Sequence, residues 1–240
     1  MRRAAVPGVA GALALTALLG GCDGMPGRPK PASVEVRPDH VKDFGTLYSG
    51  SCAGCHGPDG KGGAGAIGLA NPVYLAIADD AVIRAATARG VRGTLMPAFV
   101  QSAGGMLTDE QVEILVRGIR GWAHADALAG ANAPPYASAP GDASRGAEVF
   151  ATFCASCHGS GGTGGPKAGS IVDGSFLGLV SDQSLRTTVI AGRPDIAQPD
   201  WRGDVPGRPL TEPEVNDVVA WLAAQRPAAP GQPYPGGTHE

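Results

Sequence analysis

Aromatic residues are scarce, at 5% of the 240-residue chain, and charged residues make up only 17%, with a formal net charge of -3. So small an excess of either sign, with no basic stripe, excludes nucleic acid as a partner. Long hydrophobic runs are missing too, since none approaches the roughly 18 to 20 apolar residues that a membrane-crossing helix needs. What abounds is Gly (38) and Pro (21), together about a quarter of the chain. With so little aromatic surface, something besides side-chain packing must help to hold the cores, and the length suits two small domains.

One short apolar run stands at the start. Val9 to Leu19, behind Arg2 and Arg3, has the length of a signal-peptide core. It ends in Leu19-Gly20-Gly21-Cys22, which resembles the box at which bacterial lipoproteins are cut and lipidated on the cysteine. The expectation is a protein lipid-anchored at Cys22 on the periplasmic side of a bacterial membrane. An ordinary signal peptide with an incidental cysteine is the plainer alternative.

The other four of the five cysteines form two copies of C-x-x-C-H: Cys52-Ala53-Gly54-Cys55-His56 and Cys154-Ala155-Ser156-Cys157-His158. This is the attachment signature of c-type haem. Two cysteines three residues apart on a helical turn can form thioethers to the two vinyl groups of one porphyrin, and the adjacent His then reaches the iron. A zinc ribbon needs its pairs roughly 15 to 20 residues apart, far closer than Cys55 and Cys154. The expected cofactors are therefore two covalently attached haem c groups, held by Cys52, Cys55, Cys154 and Cys157, with His56 and His158 on the iron.

An offset of 102 residues carries Cys52 onto Cys154 and also pairs Tyr48 with Phe150, Gly57 with Gly159, Arg84 with Arg186, Gly90 with Gly192, Pro97 with Pro199 and Phe99 with Trp201. A duplicated module follows. Each copy predicts a first helix that delivers the motif (Val41 to Cys55; Ser144 to Cys157). A middle helix begins near Asp79 or Ser181 and stops at Gly90 or Gly192. A last helix opens on the capping patterns Thr108-x-x-Gln111 and Thr211-x-x-Glu214. Val112, Leu115, Val116 and Ile119, and again Val215, Val218, Val219 and Leu222, mark its core face. Gly60-x-Gly62-x-x-Gly65 and Gly159-x-Gly161-x-x-Gly164 match a dinucleotide pattern but follow no strand. They read as glycines that let backbone pass close to a porphyrin.

The halves part company at the sixth ligand. Met96, in Leu95-Met96-Pro97, is the candidate in the first module, with Met106 as competitor; Met is the ligand that raises potential for electron transfer. The same spacing from His158 falls on Gln198, and the second module has no Met. Gln198 could ligate through its amide oxygen, hold a distal water, or yield to His124, His239 or Lys167.

With CAGCHG, the Gly-rich loop, L-M-P-A-F and the capped last helix in this order, each half resembles a small class I-type cytochrome c domain. The chain is similar to the two-haem cytochrome c subunit of cbb-type oxidases and related dihaem cytochromes, over about residues 40–122 and 142–226. The resemblance implies an all-α fold of two tandem domains, with His56 and His158 proximal and Met96 distal. With the leader and the Pro-rich stretches read from composition, the expected layout is 1–21 signal peptide, 22–39 lipidated tether, 40–122 first domain, 123–141 linker, 142–226 second domain and 227–240 disordered tail. The chain departs from the family at Gln198 and in having no transmembrane helix. The function expected is single-electron transfer between respiratory or photosynthetic redox proteins, or within a membrane electron-transfer complex. The alternative is an enzyme acting on peroxide or an inorganic sulfur compound at an open second haem.

Overall fold

The computed structural model describes residues 36–63 and 66–228. The signal peptide, Cys22, most of the tether, Gly65, His239 and the tail past 228 lie outside the described residues. The chain divides into two units, Met1–His40 and Val41–Glu240. In the first, the described element is a 3-10 turn, Pro38–His40.

The second unit holds both modules, and the described residues are helical with only isolated bridges besides. The first module comprises α1 (Phe44–Ser51), α2 (Ala53–His56), α3 (Pro72–Ile77), α4 (Asp80–Arg89) and α5 (Asp109–Arg120). The second repeats them as α6 (Ala143–Phe153), α7 (Ala155–His158), α8 (Gly174–Gly178), α9 (Asp182–Ala191) and α10 (Glu212–Ala224).

The starts of α4, α5, α9 and α10 stand where the sequence puts them, because side chains there satisfy the first free amides. Asp79 caps α4 and Ser181 caps α9. Thr108 with Gln111, and Thr211 with Glu214, form reciprocal capping boxes on α5 and α10. All eight apolar positions expected on the last helices are buried, each worth about 1.5–3 kcal/mol of transfer free energy. The single first helix expected for each module is instead two. Cys52 (φ -121°) and Cys154 (φ -114°) each stand at the junction between two helices and cap both. The break leaves Cys52 buried and Cys55 exposed. The short α3 and α8 were not expected, since five or six residues carry no helical period.

The first and last helices of each module cross at a glycine, but the glycine changes sides. In the first module a Cβ on Gly118 of α5 would come within 2.0 Å of the Phe44 ring of α1. In the second, a Cβ on Gly146 of α6 would sit 2.5 Å from Cβ of Trp221 on α10. Gly146 stands at the repeat position of Phe44, and Trp221 at that of Gly118 once the last helix is shifted by one residue. Knob and hole are exchanged while the close crossing is kept.

An arginine clamp recurs as well. Arg120 donates to the carbonyls of Leu75 and Ala78 and pairs with Asp80. Arg226 does the same to Leu177, Val180 and Asp182. The stretch 123–141, expected as a linker, is strapped to the second module. Arg186 donates to the carbonyls of Pro135 and Tyr136, Gln183 donates to Tyr136, and Arg202 to Leu128.

Candidate functional site

Each C-x-x-C-H lies on one tight turn. His56 N–H and Cys55 N–H both donate to the carbonyl of Cys52, as His158 and Cys157 do to Cys154. After the His the chain doubles back, and Gly62 N–H donates to the His56 carbonyl at 3.0 Å, Gly164 N–H to that of His158 at 2.8 Å. The turn needs glycine at Gly57 and Gly159. Both have positive φ, and a Cβ would lie 2.5 Å from the Gly62 carbonyl oxygen or 2.1 Å from that of Gly164.

The doubling back presents a backbone carbonyl to each imidazole. Nδ1 of His56 lies 2.8 Å from the carbonyl oxygen of Ile67, and Nδ1 of His158 lies 3.2 Å from that of Gly169, each eleven residues on in the chain. A carbonyl only accepts, so Nδ1 carries a proton in both rings, and Nε2 is the nitrogen turned away from that contact. His56 is 8% exposed, and its burial lowers the imidazole pKa, so the ring is neutral at pH 7. This is the orientation by an outer partner that metal-bound His commonly has. Nothing in the side chains announces it, because the acceptors are backbone atoms.

Burial also sets the thiols. Cys52 is pushed up to about 11 and Cys154 to about 12, in each case mainly by removal from water. The carboxyl of Asp204 also acts on Cys154, and is itself raised to about 6 by burial. No disulfide joins the four motif cysteines. Each motif thus offers two cysteines outside any disulfide and an imidazole on one turn, and this donor set fits a covalently held haem.

The expected distal residues sit on matching hairpins. Val91 N–H donates to the Met96 carbonyl, and Arg193 N–H to that of Gln198, both at 3.0 Å. The hairpins pack on the glycines that end the middle helices. Gly90 has φ +71° and Gly192 φ +68°, and a Cβ would lie within 2.6 Å of the Met96 carbonyl or 2.5 Å of that of Pro199. Met96 is half-buried, whereas Met106 is 83% exposed. The Gln198 amide nitrogen donates to the Thr188 carbonyl at 3.5 Å, which leaves Oε1 as the unengaged end. Arg193 is paired with Asp195 and Arg202 with Asp200, Arg202 also lying over the Trp201 ring. His124 and Lys167 are exposed.

The family model described as cytochrome C oxidase, cbb3-type, subunit III matches residues 39–117 and 141–222. The cbb3-type cytochrome c oxidase subunit FixP of Azorhizobium caulinodans is 30% identical over 167 residues, 64% of this chain and 50% of that protein. Subunit CcoP of Cereibacter sphaeroides is 26% identical over 189 residues, 73% of this chain and 58% of that protein. The chain thus spans about half the length of these relatives. Among solved structures, the Kuenenia stuttgartiensis reducing HAO-like protein complex Kustc0457/Kustc0458 gives a TM-score of 0.47 at 17% identity, covering 81% of this chain and 100% of that one.

Proposed function

Because the chain belongs to the cytochrome family of the cbb3-type cytochrome c oxidase subunit III, and so carries two covalently attached haem c groups, we propose that it passes single electrons between redox proteins of a membrane electron-transfer complex. Haem c supplies a reversible one-electron iron couple whose potential depends on the axial ligands. The observation that carries the reading is the paired Nδ1–carbonyl contact, repeated at the same spacing in both modules. It prepares His56 and His158 as proximal ligands, with Cys52, Cys55, Cys154 and Cys157 forming the thioethers.

Met96 supplies the distal thioether in the first domain, 40–122. Gln198 supplies Oε1 in the second, 142–226. An amide oxygen is a harder, weaker donor, so the second site has the lower potential. Cys22 is the lipid attachment point, on the periplasmic side; among the described residues no helix is long and apolar enough to cross a membrane. The oxidase subunits among the relatives point to a membrane oxidase or a similar complex as the partner.

Weak ligation at Gln198 also favours a second reading, turnover of peroxide or an inorganic sulfur compound at the second haem. The two arginines beside the loop do not support it, since each is committed to an aspartate.

The test is a spectroelectrochemical titration of the full chain, with carbon monoxide titrated against the haem count. Electron transfer predicts two reversible one-electron waves. Gln198→Met should raise the lower wave and suppress carbon monoxide binding. Gln198→Ala leaving the second haem's spectrum and potential unchanged would remove Gln198 as ligand. Rapid turnover of peroxide or thiosulfate would replace the carrier reading with the enzyme.

A further inference from the structure

Asn71 makes a bond that its counterpart in the second module does not. Its Oδ1 accepts from the amides of Val73 and Tyr74, at 2.9 and 3.1 Å, and so caps α3. Asp173, at the repeat position, caps α8 identically, accepting from Ser175 and Phe176 at 2.9 and 3.1 Å. The cap therefore works with a carboxylate. Asn71, however, is 5% exposed, and its Nδ2 donates at 2.9 Å to the carbonyl of Ala191, 120 residues away in the second module. Asp173 is exposed.

Ala191 is the last residue of α9, so its carbonyl has no donor within the helix. Asn71 supplies one. The next residue is Gly192, on which the Gln198 hairpin packs, and α3 lies against α9. The same hairpin meets the first module again at its tip. A Cβ on Gly62, in the loop that follows C-x-x-C-H, would lie 3.1 Å from the carboxyl carbon of Asp195. Asp195 is bonded to Arg193, which closes the hairpin with Gln198.

We propose that Asn71 is a positioning residue that docks the modules, so that the post-motif loop of the first braces the Gln198 hairpin of the second. The consequence for haem rests on the reading of Gln198 as a distal residue; the docking itself does not. An aspartate in place of Asn71 keeps the helix cap but replaces a donor with a carboxylate facing a buried carbonyl at the negative end of α9, and both changes oppose docking.

The test is amide hydrogen exchange on the full, haem-loaded chain with Asn71→Asp, together with the carbon monoxide titration. Exchange at Arg193 and Gln198, whose amides donate to each other's carbonyls, should rise about ten-fold or more, while Leu75 and Ala78 in and after α3 keep their protection. Asn71→Ser should loosen the same two amides without adding charge, its hydroxyl capping α3 but falling short of Ala191, and it serves if the first variant folds poorly. Unchanged exchange at Arg193 and Gln198 in both variants overturns the proposal, as does loss of α3 protection in equal measure, which would reduce Asn71 to a cap. Faster exchange with unaltered carbon monoxide binding upholds the docking and shows that ligand access at the second haem does not depend on it.

Discussion

The two modules share a backbone plan and differ in how polar their distal loops are. Between Gly90 and Thr108 the first module has no acidic residue; between Gly192 and Thr211 the second has Asp195, Asp200 and Asp204, with Arg193, Arg202 and Arg208. Where the first has a methionine in an apolar loop, the second has an amide among paired charges. The proximal sides are nearly the same, down to the carbonyl that holds each imidazole. The two copies are thus alike on the side of the C-x-x-C-H turn and differ on the side of the Met96 and Gln198 hairpins.

The comparison is tested most severely at the helix crossings. Gly118→Trp, which gives the first module the knob of the second without its hole, should cost about 3 kcal/mol from overpacking. Adding Phe44→Gly should return most of that loss in denaturant unfolding. A double variant no more stable than the single would show that the exchange of knob and hole is incidental.

A smaller effect is expected at Asp217, where the first module has Ile114. Asp217 accepts from Asp142 N–H and from two Arg145 nitrogens, at 2.6, 2.7 and 2.9 Å. Asp217→Ala should lose about 2 kcal/mol at pH 7. The Arg145 bond holds the carboxyl pKa below its ordinary value. Its stabilisation is therefore complete above the unfolded value near pH 4 and fades as pH falls through the lower folded one, so wild type and variant should converge in acid unfolding.

Asp204 has the opposite sign. Burial raises it from 3.8 to about 6, so the native state binds a proton more tightly than the unfolded chain. Stability should fall as pH rises from about 4 to about 6, by on the order of 1–2 kcal/mol after allowing for partial exposure. Asp204→Asn should flatten that slope; an unchanged slope would place its origin elsewhere.

The mildest change concerns the post-motif loops. Tyr48 donates to the Gly57 carbonyl at 2.8 Å, and Phe150 at the repeat position has no hydroxyl to do so. Tyr48→Phe should cost about 1 kcal/mol by thermal unfolding.

Features written in local spacing were legible in the sequence: the C-x-x-C-H turns, the capping boxes, the glycine stops and the buried face of each last helix. Long-range features were not. The exchange of Phe44 and Gly118 for Gly146 and Trp221 is visible only when two helices separated in sequence are laid together. Arg226 escaped the repeat because it stands three residues later than a last-helix alignment with Arg120 would place it. Asn71 carried no signal in the sequence, since the helix it caps is too short to show a period and its second bond runs to a backbone atom, and backbone acceptors carry no letter of their own. Gln198 was legible as a departure from the pattern, and its orientation by Thr188 was not.

The strap over 123–141 bears on how strong the contact between the modules has to be. With Leu128, Pro135 and Tyr136 tied to the second module, only residues 123–127 lie between the end of the first module and the first of these ties. A tether that short holds the modules at an effective concentration in the millimolar range. At that concentration, an interface too feeble to join two separate proteins keeps these two together nearly all the time. A small set of contacts such as Asn71 with Ala191 and Gly62 with Asp195 can then fix the geometry, and losing one opens the pair without letting it drift apart.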